Sequence, residues 1–291
     1  MIERISNPSA TKKIIEDNSF YFKKNFGQNF LIDSNVLQNI VSAAKLTKDD
    51  YVLEIGPGIG SLTQFLAENT KHVTSVEIDT NLLPILKETL KDYDNIAIVN
   101  KDILKADIKE IMGDKPFKIV ANLPYYITTP VIMYFLENNI NFTSITVMVQ
   151  KEVADRIKAT PGIKDYGALT VATQFYADVE LNFIVPPNCF IPRPKVDSSV
   201  ITLTAKKETP LKEDLKEFFF HVVKSAFSQR RKTLVNTLYN TGDFGLEKAD
   251  IESAIKEIGL SEKIRGEALS IENFRKLSIK LLDMIEKTAL L

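Results

Sequence analysis

Tyr51-Val52-Leu53-Glu54-Ile55-Gly56-Pro57-Gly58-Ile59-Gly60 reads as a short apolar strand that runs into a glycine-rich turn, with a helix starting at Ser61. A strand, a turn and a helix in that order suit an adenosine-bearing cofactor, because glycine lets the backbone approach a ligand closely. The pattern is shared by dinucleotide and S-adenosylmethionine sites, and two features favour the second. An acid, Glu54, lies inside the strand just before the glycines. The loop is also shorter than the pyrophosphate fingerprint and has no Gly-x-Gly-x-x-Gly in register. S-adenosylmethionine has no pyrophosphate and does not need a helix N-terminus bared for one. The plain alternative is a glycine turn that binds nothing.

Further strands follow at the spacing of a parallel α/β sheet. His72 to Val76 forms the second and ends at Glu77, twenty-one positions past Gly56. An acid about 20 residues beyond the glycine turn is where a ribose-binding carboxylate is expected. Asp79 competes for that role, but Asp79-Thr80 also reads as the cap of a helix over 80–92. Glu77 is therefore assigned to the ribose and Asp79 to structure. Ile96 to Asn100 is the third strand. Asp102, just past it, is placed to accept from an adenine amino group, although a lone Asp after a strand is more often a solvated cap.

Phe117 to Ala121 is the fourth strand and delivers Asn122-Leu123-Pro124-Tyr125. This tetrad suits methylation of an exocyclic base amine, whose lone pair is delocalised into the ring. Two acceptors holding its two N–H groups draw the nitrogen toward tetrahedral geometry. The Asn122 side-chain oxygen is one acceptor. The Leu123 carbonyl is the other, because a residue before proline is pushed into an extended conformation. Tyr125 offers a face on which an extruded base stacks. A strand-to-helix turn with a buried tyrosine is the competing explanation.

Composition bounds the rest. At 291 residues the chain holds one large domain and a smaller one, and 44% hydrophobic content supports a real core. A net charge of −1 makes any nucleic-acid surface a local patch. The single cysteine, Cys189, excludes an internal disulfide and an all-cysteine metal site, and with two histidines no zinc site is expected. There is no membrane-length apolar run, no signal-peptide pattern, no repeat and no low-complexity tract, so a soluble cytoplasmic protein is expected.

The run Asn-Leu-Pro-Tyr-Tyr-Ile-Thr-Thr-Pro at 122–130 resembles the catalytic motif of the ribosomal RNA adenine N6-dimethyltransferases. It is closer to the small-subunit branch than to the erythromycin-resistance branch, where isoleucine is common at the second position. Phe26 to Asp33 resembles that family's Gly-Gln-Asn-Phe-Leu segment, which implies a lid over the methionine end of the cofactor with Asn29 and the Leu31 backbone in contact. Taken alone, 26–33 is a loop, with Asp33 or Ser34 capping a helix to about Ala44. Pro186 to Ser198 is a long proline-rich loop that resembles the family's Phe-x-Pro-x-Pro-x-Val-x-Ser signature. The resemblance puts Phe190 on the target adenine opposite Tyr125, and Arg193 and Lys195 are candidates for RNA phosphates. A core phenylalanine anchoring a rigid loop is the alternative. Phe227 to Leu234 resembles the family's Phe-x-Gln-Arg-Arg-Lys-Thr-Leu motif. Physically it is a basic helix end facing RNA or a solvated charged face.

The expected fold is α/β, with a Rossmann-like seven-stranded methyltransferase sheet over 1–206 and a small all-helical RNA-binding domain over 207–291. Residues 1–45 serve as arm and lid, and the polar stretch 206–210 marks the boundary. The basic and aromatic residues of 1–25 read equally well as an RNA-touching arm and as a solvated amphipathic tail. In the helical domain Phe218, Val222, Ala226, Leu234 and Leu238 recur on one face. The resemblance implies dimethylation of two adjacent adenosines near the 3′ end of 16S rRNA in an immature small subunit, with S-adenosylmethionine as donor. A monomeric enzyme with no metal and a part in ribosome biogenesis is expected. The alternatives are a large-subunit or DNA methyltransferase and a non-enzymatic assembly or transcription factor.

Overall fold

The computed structural model describes residues 4–22, 27–138, 140–207, 211, 213–241 and 244–289. Lys23 and Lys24 of the basic arm, Phe26 ahead of the lid and 208–210 of the polar boundary lie outside the described residues. By contacts the chain forms two compact units, 1–154 with 177–205 and 155–176 with 206–291.

The first unit is built on a seven-stranded sheet in the order β4-β3-β2-β5-β6-β9-β7. The strands are β2 (Tyr51–Ile55), β3 (His72–Glu77), β4 (Ile96–Asn100), β5 (Phe117–Asn122), β6 (Phe142–Gln150), β7 (Ala177–Val185) and β9 (Ser198–Ala205). The first five run parallel, and β9 lies between β6 and β7, antiparallel to both. Central parallel strands are covered on both faces and therefore read as unbroken apolar runs. Val52, Leu53, Ile119 and Val120 are accordingly fully buried. Strand order reverses between β2 and β5, which is where open α/β sheets bind their ligands. Ile55 pairs with Ala121, so Gly56 and Asn122 leave the sheet side by side.

Helix α2 (Ser34–Ala43) is capped by Asp33, whose carboxylate accepts from the N–H groups of Asn35 and Val36. Leu37, Ile40 and Val41 of α2 share a core with Phe65 and Leu66 of α3 (Ser61–Asn69) and with Val52, Val120 and Met148 of the sheet. The expected helix over 80–92 is shorter, a 3-10 turn at Thr80–Leu82 followed by α4 (Leu83–Thr89). The segment ahead of the lid folds back onto the unit instead of trailing as a free tail. Helix α1 (Pro8–Asp17) exposes Lys12 and Lys13, while Ile5 and Phe20 are buried in a cluster with Phe30, Ile59 and Leu86.

In the second unit α8 (Ala168–Tyr176) shares a core with α9 (Glu213–Phe227), α10 (Leu234–Thr241), α11 (Lys248–Glu257) and α12 (Ile271–Ala289). Residues 155–176 come before the polar stretch at 206–210 yet pack with the helices beyond it, because Val171 and Phe175 are buried against Phe219 and its neighbours. Of the residues assigned to the helical stripe, Val222, Ala226, Leu234 and Leu238 are buried as expected. Phe218 is only partly buried, and Phe219, one position on, takes the fully buried place.

Candidate active site

One cleft of about 1060 Å³, its open mouth included, gathers Asn29, Leu31, Gly56, Glu77, Asp102, Asn122, Leu123, Pro124, Tyr125 and Phe190. All of these belong to the first unit. They come from the C-terminal ends of β2, β3 and β5, the turn after β4, the lid and the proline-rich loop.

The glycine turn makes its ligand space by backbone geometry. Gly56, Gly58 and Gly60 have φ of 68°, 61° and 94°, in the left-handed region that a side chain makes costly. A Cβ on Gly58 would also lie 3.0 Å from the Phe30 ring. Glu77 is 5% exposed and its Oε1 accepts from the Asp79 N–H at 2.7 Å. Burial pushes its carboxyl above the ordinary carboxylate range, and the N–H groups of Asp79 and Gly58 partly offset that. Asp79 does structural work: Oδ1 accepts from Asn81 N–H at 3.1 Å and Oδ2 accepts from Gln28 Nε2 at 3.1 Å, which ties the lid to the strand end. Asp102 caps its own turn through Leu104 N–H at 3.1 Å while also lining the cleft.

Glu54 does not line the cleft. It is 1% exposed behind the glycine turn, and its Oε2 accepts from Ser75 Oγ at 2.6 Å. Its Oε1 has no hydrogen-bond partner among the described residues. Burial pushes this carboxyl up to about 7, tempered by the Ser75 and Thr63 hydroxyls and reinforced by the charge of Glu77.

Asn122 is oriented from 93 positions away. Its Nδ2 donates to the Asn29 carbonyl at 3.0 Å. A carbonyl only accepts, so the amide nitrogen faces the lid and Oδ1 is turned the other way. The Pro124 carbonyl is taken by Ile127 N–H at 3.1 Å and the Thr128 hydroxyl at 3.2 Å, closing the turn into α6 (Thr128–Glu137). Tyr125 is half-buried and its hydroxyl pairs with Ser198 Oγ at 3.0 Å. Burial pushes that hydroxyl above its ordinary value.

The lid is strapped to the proline-rich loop. Strand β1 (Phe30–Leu31) pairs antiparallel with β8 (Phe190–Ile191), and Ile32 N–H donates to the Cys189 carbonyl at 2.8 Å. Phe190 is 2% exposed and shares a core with Leu31, Val185 and Val200. In this structure its ring is an enclosed wall of the cleft, not an open stacking surface. Arg193 and Lys195 are both exposed on the same loop.

The sequence reading missed Tyr126 and Ser198. The Tyr126 ring is 57% exposed at the cleft, packs near Gly27 and Pro124, and its hydroxyl is pushed up by burial and by the charges of Asp102 and Glu77. An aromatic next to Tyr125 was a usable signal. Ser198 had only its place at the end of the loop signature to mark it.

In the second unit Arg230 is tied to the protein's own backbone through one nitrogen. Its Nη2 donates to the carbonyls of Lys164 at 2.6 Å and Tyr166 at 3.0 Å and lies 3.4 Å from Glu267 Oε2. Arg231 and Lys232 are exposed.

Among proteins of known kind, the chain is 53% identical over 279 residues to the ribosomal RNA small subunit methyltransferase A of Lachnoclostridium phytofermentans, covering 94% of this chain and 96% of that one. It is 50% identical to the protein of the same name from Clostridioides difficile, covering 95% and 96%. Among solved structures, a dimethyladenosine transferase from Plasmodium falciparum superposes with a TM-score of 0.76 at 26% identity, covering 87% of this chain and 98% of that one. The 23S rRNA methyltransferase ErmE gives 0.68 at 30%, covering 87% and 99%. The family model described as ribosomal RNA adenine dimethylase matches residues 19–280. With its core sheet, its cleft and most of its helical unit inside that span, the chain belongs to the ribosomal RNA adenine dimethylase family.

Proposed function

We propose that this chain is a 16S rRNA (adenine-N6)-dimethyltransferase. It transfers methyl groups from S-adenosylmethionine to N6 of two adjacent adenosines in the 3′-terminal hairpin of an immature small subunit. It acts as a cytoplasmic monomer, and no metal takes part. The observation that carries this reading is the shared cleft of the glycine turn, Glu77 and Asn122, with the Asn122 amide oriented by the lid.

Bound S-adenosylmethionine supplies a methyl group already activated as a sulfonium electrophile. Gly56 gives the donor backbone room, Glu77 holds its ribose hydroxyls, and Asp102 accepts from its adenine amino group. Asn29 and the Leu31 backbone close over its methionine end. Asn122 Oδ1 and the Leu123 carbonyl accept from the two N–H groups of the target amine and localise its lone pair. S-adenosylmethionine held by these residues would give its methyl group to that lone pair and leave as S-adenosylhomocysteine, and the amine proton would pass to water. Tyr125, steadied by Ser198, stacks on the extruded base, and Phe190 backs it. Proximity and orientation supply most of the rate. In the second round one N–H is already a methyl, and the side chain of Leu123 leaves that methyl room.

The relatives at 50–53% identity are small-subunit enzymes, against 30% for ErmE, which favours the small-subunit substrate over the large-subunit one. The intact set Gly56, Glu77, Asp102, Asn122 and Tyr125 argues against a factor that has lost its chemistry. Incubation with labelled S-adenosylmethionine and immature small subunits tests the reading. Label at two adjacent adenosines of 16S rRNA is expected; no label there, or label on 23S rRNA offered in a parallel incubation with small subunits left unmodified, would overturn it.

A further inference from the structure

The loop between α7 (Lys151–Lys158) and α8 is held in an unusual way. Thr160 to Asp165 are all exposed, with Ile163 at 49%. An exposed loop tip is normally loosely held. Here the backbone is fixed by the second unit. Gly162 N–H donates to the Glu267 carbonyl at 2.8 Å, and Arg230 donates to the carbonyls of Lys164 and Tyr166. The Tyr166 hydroxyl, fully inside the core, donates to the Leu269 carbonyl at 2.7 Å. Ile163 N–H and Tyr166 N–H close turns onto Thr160 and Ile163.

The result is a preformed projection whose side chains face water while its backbone cannot wander. It brings Lys164 to Arg230, and Arg231 and Lys232 follow directly in the chain. Glu267 pairs with Arg230 and Asp165 follows Lys164 in the chain, so residues 164–165 and 230–232 with Glu267 carry four cations against two carboxylates in a chain whose overall charge is −1. A local positive patch with a fixed apolar tip is complementary to a folded RNA: a cation for phosphate, and a β-branched surface for a sugar or an unstacked base. Holding it rigid beforehand avoids paying loop-ordering entropy on binding.

We infer that residues 160–165 form an RNA contact surface for the small-subunit substrate, with Lys164 on a phosphate and Ile163 against a sugar or base. Arg230 is the positioning residue that holds this surface, and not itself a phosphate contact. The inference rests on the small-subunit reading above, which wild-type methylation of immature subunits tests separately.

The experiment uses the full chain, with immature small subunits as the probe. Lys164→Ala is expected to reduce the slope of log affinity against log salt by about 0.7–0.9, one phosphate contact. It is also expected to raise KM several-fold, with kcat and S-adenosylhomocysteine affinity unchanged. Ile163→Ala is expected to raise KM with the salt slope unchanged. Arg230→Ala is expected to raise KM and to speed amide exchange at Gly162 and Tyr166, while Arg230→Lys, whose ammonium has donors for both carbonyls, restores both in part. If Lys164→Ala and Ile163→Ala both match wild type while the wild type still methylates, the loop does not touch RNA. If Arg230→Ala lowers the slope with exchange at 162 and 166 unaltered, the tether assignment fails. If Lys164→Ala weakens binding to intact subunits and leaves binding to protein-free 16S rRNA alone, the surface meets a ribosomal protein, which also overturns the proposal.

Discussion

At the scale of single residues the central one is Asn122, whose amide nitrogen is held by the Asn29 carbonyl and whose oxygen is proposed to meet the target amine. Asn122→Ala is expected to lower kcat by about 10²–10³, the cost typical of removing one preorganised polar partner from a reacting centre. The Asn29 carbonyl also loses its donor in this variant, so S-adenosylhomocysteine affinity is expected to fall, by less than tenfold on calorimetry. Ser198 acts one step further out. Ser198→Ala is expected to lower kcat several-fold with cofactor affinity intact, and Tyr125→Phe should reproduce the effect, since either removes the same bond; single-turnover kinetics would show it. Gly56, Glu77, Asp102 and Asn122 were legible as neighbours because each sits at or just past the C-terminal end of a parallel strand, where chain order alone assigns the neighbourhood. The links between motifs were not legible. The Asn122–Asn29 and Tyr125–Ser198 bonds span 93 and 73 positions, and no local pattern encodes them.

At the scale of elements, β2 and β3 carry a buried titration. Glu54 pairs in register with Ser75, and its carboxyl is pushed up to about 7 from the usual 4.5. The folded state therefore holds a proton between those values that the unfolded chain has lost, so stability falls as pH rises through this window. The full penalty is in place above pH 7 and amounts to about 3 kcal/mol at most. Glu54→Gln keeps an acceptor for Ser75 and removes the charge. It is expected to flatten the fall in Tm between pH 5 and 8 and to exceed wild type at pH 8, as thermal melts across that range would show. The four strands read up to Asn122 match β2 to β5 to within one residue, because buried parallel strands are apolar runs bounded by polar turns, while β1 and β8 fell in stretches read as loops. The register that places Glu54 against Ser75 comes from pairing and was invisible in either strand alone. Helix α4 came out shorter than read because Pro84 and the 3-10 turn before it reset the start.

At the scale of the whole molecule, the chain leaves the first unit at residue 154, returns at 177 and leaves again at 205. A cut at the polar boundary near 206 would strand Tyr166, Val171 and Phe175 without the helices that bury them. The fragment 1–206 is expected to aggregate on size exclusion, and polar replacement of those three residues is expected to restore a monodisperse peak. The division of the sequence into an α/β part and a helical part was legible from the change of period. The early excursion was not, since a helix read in isolation does not say which core it joins.

That excursion sets a schedule for the newborn chain. Residues 166–175 emerge from the ribosome well before Phe274 and Leu281, the partners that complete their core. At 5–20 residues per second that is a wait of about 5–20 s with aromatic side chains uncovered. During that interval β7 and β9 complete the sheet while α8 stays unsheltered, which makes this stretch the natural landing place for a holdase during synthesis.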